Sequence, residues 1–187
     1  MDDNKHLQDF SIKNGIIISL VNIVLILILY IMGLSYFGGF SRLIPYLTTI
    51  ILVLVIGFRL RKLNGGFIEF KQALKYIFLI FIIIEVSFTM FDILMNKVID
   101  PNLAQKMKQV AIQKSVGWME KFNAPQDRID EAVKQMEAKD FSFKFSTVFL
   151  SLGIWIIVDF FIALIFSAII KRPKIFDGEI VSDKIST

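Results

Sequence analysis

The stretch FIIIEVSFTMFDILMNKVIDP, residues 81–101, decides the architecture. It reads as the outer half of a membrane-spanning helix running into a proline-marked exit. Two acids, Glu85 and Asp92, sit in its apolar part with no basic residue between them. Both facts need the rest of the chain to explain them.

Of 187 residues, 55% are hydrophobic, and the mean hydropathy is +0.64. The Ile, Leu, Val and Phe residues fall in blocks separated by charged segments, the pattern of a polytopic membrane protein. The formal net charge of +4 comes from basic residues flanking the apolar blocks, which points to membrane topology. No nucleic-acid motif accompanies them, so no nucleic-acid partner is expected. The absence of cysteine excludes disulfides, thiolate nucleophiles and Cys-ligated zinc. One histidine, His6, cannot build a multi-histidine metal site within one chain. No nucleophile–base pair stands at a recognisable spacing. The expectation is a protein without enzymatic activity, metal or cofactor.

Four apolar blocks are long enough to span. The first, Gly15 to Leu34, covers a hydrocarbon core of roughly 30 Å at about 1.5 Å per residue. It is longer than a signal-peptide core and no A-x-A-like site follows, so a retained helix is expected. The second is Leu43 to Leu60, with Pro45 in its first turn, where a missing N–H costs least. Only a few residues, including Gly38 and Gly39, connect the two, so they are expected to form a tight antiparallel hairpin. The third runs from Leu74 to Met95 and the fourth from Ser146 to Ile170, followed by KRPK, in which Pro173 can stop the helix. Trp155, near the middle of the fourth block, is expected to pack against a neighbouring helix rather than sit in an interfacial belt.

The second connection carries Arg59, Arg61, Lys62, Lys71 and Lys75; the C-terminal exit carries Lys171, Arg172 and Lys174. The first connection has only Arg42. By the positive-inside rule both termini are cytoplasmic. The long third connection, 96–145, holds nine Lys and Arg against seven Asp and Glu, spread thinly. Asp100-Pro101 reads there as an N-cap followed by proline at the first helical position. Leu103, Met107, Val110 and Ala111 recur at helical spacing. After a break at NAPQD, so do Ile129, Ala132, Val133 and Met136. The expectation is an external amphipathic helical hairpin, packing as a cap on its own bundle or meeting a partner or lipid surface.

Glu85 and Asp92 are seven residues apart, so they face nearly the same way, about 10.5 Å apart along the axis. Asp159 lies in the fourth block. Counting from the block ends places Glu85 and Asp159 both near the midplane, where antiparallel third and fourth helices would let them approach. No Lys or Arg lies at the depth of these acids; Arg59 and Lys75 stand at the ends of their blocks. An unpartnered ionised Asp in lipid costs roughly 2.5–3.5 kcal/mol even on insertion scales. The acids are therefore protonated, or line a hydrated cavity, or pair with Asn22, Tyr30, Thr89 or a base from another chain. Glu85, Asp159, Asp92 and Asn22 form the candidate intramembrane polar site.

The turn LNGGFIEFKQALKYIF joins the second and third blocks. Gly65 and Gly66 permit conformations closed to other residues. No phosphate-binding GxxxxGK[ST] or GxGxxG is present, so Gly65, Gly66, Phe67 and Lys71 read as a turn plus an interfacial helix. Its bases are placed to meet anionic head groups.

The order of a helical hairpin, then Gly65-Gly66-Phe67 with Phe70 and Lys71, then Ile99-Asp100-Pro101, then a last span ending in Lys171-Arg172, resembles the uncharacterised bacterial family known as domain-of-unknown-function family 4199. The resemblance covers roughly Ser11 to Lys174 and implies a four-helix inner-membrane protein, with no activity attached.

The fold class expected is thus an all-α membrane protein. It has a cytoplasmic N-terminal segment 1–14, a four-helix transmembrane domain 15–172 including the external helical loop 96–145, and a polar cytoplasmic tail 173–187. Its partners are the lipid bilayer and either a second copy of itself or other membrane proteins. Two roles are open: a structural or accessory subunit of a membrane assembly, or an oligomeric proton- or ion-coupled channel or transporter component using the intramembrane acids.

Overall fold

The computed structural model describes residues 2–37 and 40–173. Gly38, Gly39 and the tail at 174–187 lie outside the described residues. The helices are α1 (Asp2–Met32), α2 (Leu34–Phe37), α3 (Leu43–Leu63), α4 (Phe70–Leu94), α5 (Leu103–Lys121), α6 (Gln126–Ala138) and α7 (Phe145–Ile170). Four are long and apolar enough to cross a membrane: Asn4–Met32, Leu43–Leu63, Phe70–Ile99 and Phe145–Ile170. Among the described residues there is no strand, only an isolated antiparallel bridge between Ile68 and Arg172.

α1 starts at Asp2 and so runs straight through the segment expected to stand apart from the first span. A buried stripe explains this: Leu7, Ser11, Gly15, Ser19 and Asn22 recur at three- and four-residue intervals on one side. Most of these side chains are small, which lets two helix backbones approach closely in a membrane. A Cβ built on Gly15 would already lie 3.1 Å from Ile83 of α4. Tyr76 of α4 then ties down the first turn, donating its hydroxyl to the Asn4 carbonyl at 3.0 Å. The helix ends where Gly33 takes a φ of 122°.

α4 is the centre of the bundle, packing on α1 and on α7 more extensively than the sequence neighbours α1 and α3 pack on each other. α7 runs antiparallel to α4. Phe78 meets Phe160 and Phe81 meets Phe166, with ring centroids 5.3 and 6.2 Å apart, and the Ile68–Arg172 bridge closes the same end.

That end carries the basic clusters. α3 stops in a Schellman turn: Gly66 N–H donates to Arg61 O at 3.0 Å and Gly65 N–H to Lys62 O at 3.2 Å. Gly65 and Gly66 have φ of 75° and 87°. The interfacial helix expected from Phe67 onward starts only at Phe70. Residues 67–69 stay extended because Ile68 exchanges both backbone hydrogen bonds with Arg172, each 2.9 Å. This long-range pairing satisfies backbone groups that a helix would otherwise use.

At this end α3 and α7 also converge. Gly57 leaves room for Ile170, whose Cδ1 a Cβ on residue 57 would overlap. Arg61 donates to the Ile170 carbonyl at 3.3 Å. From this junction the two helices diverge.

At the opposite end α4 widens into a π turn, Met95–Ile99, with Asp100 N–H reaching back to Met95 O at 2.8 Å. Asp100 ends this turn rather than capping the next helix: α5 starts at Leu103 with Asn102 as its N-cap, so Pro101 is not a first helical residue. The Asp100 carboxylate instead accepts from Asn102 N–H at 3.2 Å, Tyr30 OH at 2.9 Å and Lys106 Nζ at 2.7 Å. The carboxylate thereby fastens α1, α4 and α5. Leu103 packs with Ile26, Phe37, Phe91 and Met95. α5 and α6 pack together, and Ile129 of α6 is buried, with Ala132, Val133 and Met136 half-buried on the same side. Trp118 and Phe122 stack on each other but stay largely exposed.

Candidate intramembrane acid site

Antiparallel packing brings Glu85 of α4 and Asp159 of α7 together, their side chains within hydrogen-bonding range. Asp159 is only 4% exposed. Among the described residues no N–H or O–H reaches its Oδ2. An ionised carboxylate only accepts hydrogen bonds, so two ionised acids here would set acceptor against acceptor.

The pair stands deep in a cavity of about 850 Å³ between α3, α4 and α7. The divergence of α3 from α7 opens it. Thr147, Ser151, Trp155 and Asp159 line one side of α7, so the slot reaches about 18 Å from its mouth to the acids at about 1.5 Å per residue. Tyr46 and Trp155 pack on each other in its wall, with ring centroids 6.4 Å apart; Phe88 and Phe81 add further aromatic wall. Residues 141–144 border the mouth. The expected contact of Trp155 with a neighbouring helix is thus present, although the indole keeps 46% of its surface exposed.

Below the acids, toward the basic end, the bundle is dry. Tyr76, Ile77, Ile80, Leu60, Ala163 and Ile170 are 0% exposed. The slot therefore reaches the acids from the α5–α6 end only.

Asp92 lines the same slot nearer its mouth, where Asn96 Nδ2 donates to its Oδ1 at 3.2 Å and to its carbonyl at 3.0 Å. Asn22 is elsewhere: its Nδ2 donates to Thr49 Oγ1 at 2.6 Å between α1 and α3, and Thr49 donates onward to Pro45 O at 3.0 Å. Asn22 Oδ1 is buried without a partner. Of the groups expected to pair with the acids, Asn22 engages Thr49 and Tyr30 engages Asp100; Thr89 lines the slot. Tyr46, Thr49 and Trp155 complete the site, and only the fold of α3 against α7 identifies Tyr46 and Thr49 as members.

Among the described residues the charged groups lining the slot are Glu85, Asp92, Asp159 and Lys144. Lys144 is paired with Asp140 at 2.7 Å and, with Ser142, holds that carboxyl below the usual range. The slot is acidic on balance. Among the described residues no cluster of three or more His, Asp or Glu is arranged to hold a metal. Gly65 and Phe67 lie at the other end, beside a second cavity of about 680 Å³ that His6, Glu69 and Arg172 also line. Arg172 stands over the Phe67 ring at 5.6 Å, and Lys71 is exposed.

Four apolar helices around a central α4 define a multi-pass α-helical membrane protein. The sequence profile of the family described as "Protein of unknown function (DUF4199)" matches residues 13–172, and the chain belongs to that family. No curated protein and no solved structure matches it.

Proposed function

We propose that this is a non-enzymatic protein of a bacterial inner membrane whose Glu85–Asp159 pair is a proton- and cation-binding site. Its basic end and both termini face the cytoplasm, and α5 and α6 form an external hairpin at the slot mouth. The observation that carries the reading is the orphaned Oδ2 of Asp159 beside a second carboxyl at the closed end of an acidic slot. An intramembrane acid of this kind is a functional site by default. The dry layer beneath it argues against an open pore; transport would need α3 and α7 to separate at Gly57. The test is infrared spectroscopy of the protein in nanodiscs at neutral pH. A protonated-carboxyl band that both Glu85→Gln and Asp159→Asn alter supports the reading; no such band overturns it. For orientation, single cysteines at Gly65 and Gln126 should label from opposite sides, and same-side labelling refutes the four-span topology.

A second reading, an accessory subunit of a membrane assembly or homo-oligomer, rests on α7. Phe149, Leu150, Ile157, Phe161 and Ile165 are each at least 60% exposed, leaving a long apolar face for lipid or another helix. Mild extraction followed by cross-linking should recover a stoichiometric partner or a second copy; a lone monomer in native lipid excludes it.

A further inference from the structure

The slot is far larger than a proton needs. We infer that it is a binding site for a monovalent organic cation with an apolar body, an amine or quaternary ammonium amphiphile, whose charged head lies against Glu85 and Asp159. The inference rests on the acid-site reading above and names its ligand class.

Three features converge. First, the charge is right. A carboxyl pair sharing one proton carries a single negative charge, and a monocation neutralises it. Among the described residues Lys144 is the basic group lining the slot, held at the mouth by Asp140, and Asn96 donates to Asp92. An anionic head group would meet three acids and be repelled.

Second, the walls are aromatic. Tyr46 and Trp155 form a ring pair on the wall, centroids 6.4 Å apart, with Phe81 and Phe88 also lining the slot. A cation within about 6 Å of such ring faces is attracted by their quadrupoles, and quaternary ammonium recognition is a recurrent use of this arrangement. A small hydrated metal ion gains little from such walls and would face few oxygen ligands.

Third, the dimensions suit an elongated guest. A volume of about 850 Å³ lies in the range of small-molecule pockets, which are mostly apolar with a few convergent polar groups. Tyr46 and Trp155 are 38% and 46% exposed. An elongated guest enters from the α5–α6 end, its body lying along the wall that Tyr46 and Trp155 form.

The experiment is equilibrium dialysis of radiolabelled decyltrimethylammonium against the protein in nanodiscs, with empty nanodiscs subtracted for partitioning and decyl sulfate as the anionic counterpart. Saturable binding of one cation per chain is expected, and decyl sulfate should not compete. Glu85→Gln/Asp159→Asn should weaken binding by at least about tenfold, through the lost charge in a low-dielectric site. Trp155→Leu should weaken it about three- to tenfold through the lost cation–π contact. No saturable binding in the wild type, equal competition by decyl sulfate, or unchanged affinity in Trp155→Leu overturns the inference. So does unchanged affinity in the double variant. If the double variant fails to fold, the rim substitution Trp155→Leu decides alone. The infrared test above is independent. A proton band without cation binding removes this inference and leaves the acid site. Cation binding without a proton band removes the shared proton and leaves an ionised cation site.

Discussion

Replacing Asp159 with Asn should make the protein more stable, and the structure sets the size. Asp159 is 4% exposed, and its Oδ2 has no donor. A buried acceptor left unpaired costs about 1–3 kcal/mol. Asn has nearly the same shape, so the packing of α7 on α4 is preserved. Its amide supplies the donor that the carboxylate lacks, aimed at Glu85. Polar contacts between membrane helices are modest, about 0.6 kcal/mol on average and up to about 1.7. Relief of the orphan plus one new contact gives an expected gain of about 1–2 kcal/mol. The assay is reversible unfolding in mixed micelles of rising dodecyl sulfate content, followed by helical circular dichroism. Asp159→Asn should move the midpoint to higher dodecyl sulfate. Glu85→Gln should do the same, and the two together should gain less than the sum because they act on one contact. A loss of more than about 1 kcal/mol for Asp159→Asn, on the scale of a broken interhelical contact, would refute the reasoning and make the pair a helix lock.

Other substitutions probe the frame. Gly57→Ala should destabilise by about 1–3 kcal/mol, the usual range for overpacking, because its Cβ overlaps the fully buried Ile170; an unchanged unfolding midpoint would show that α3 and α7 do not converge there. Gly65→Val should cost about 1–2 kcal/mol, since residue 65 holds a φ of 75° in the left-handed region that a β-branched side chain resists; Gly65→Asn should be milder, and equal losses would count against the Schellman turn. At Asp100, hydrogen bonding from Lys106 lowers the carboxyl pKa first; burial opposes it, and Tyr30 and Asn102 add to the lowering. A folded value below the unfolded one means stability that is present above the unfolded value, about 3.9, and lost as pH falls through the folded one. Thermal unfolding of the wild type should therefore fall on acidification below about pH 4, and Asp100→Asn should flatten that part of the profile; parallel profiles would remove Asp100 from the account.

The spans were legible because each is a run of apolar residues long enough for a bilayer, a property of local composition alone. The meeting of Glu85 and Asp159 was legible for a related reason. Antiparallel neighbours of known length bring residues at equal depth together, whatever the packing details. The slot was not legible. It lies between helices joined at Gly57–Ile170 and at Tyr46–Trp155, and no local pattern links residues so distant in sequence. The extended residues 67–69 escaped for the same reason, since their helical spacing is overridden by Arg172. Pairing with Asn22 or Tyr30 was one of three alternatives for the acids; in the fold these two engage Thr49 and Asp100. Which acceptor each one reaches depends on helix rotation, which periodicity leaves free where apolar residues surround the helix.

The chain contains its own standard for what a structural polar contact looks like. Asn22 gives a hydrogen to Thr49, and Thr49 gives one to Pro45, so donors meet acceptors across α1 and α3. Asp100 is likewise met by three donors from three segments. Glu85 and Asp159 break this pattern, placing acceptor against acceptor where α4 and α7 need no further lock. Phe78–Phe160, Phe81–Phe166 and the Ile68–Arg172 bridge already hold those helices. Asn22 also leaves its Oδ1 without a partner, yet it still donates to Thr49; a contact with no donor on either side is the poorer fastener. The same arrangement gains what it lacks when a proton or cation arrives through the one open approach, the slot lined by Tyr46 and Trp155. The two acids are thus better accounted for by what they receive than by what they hold together.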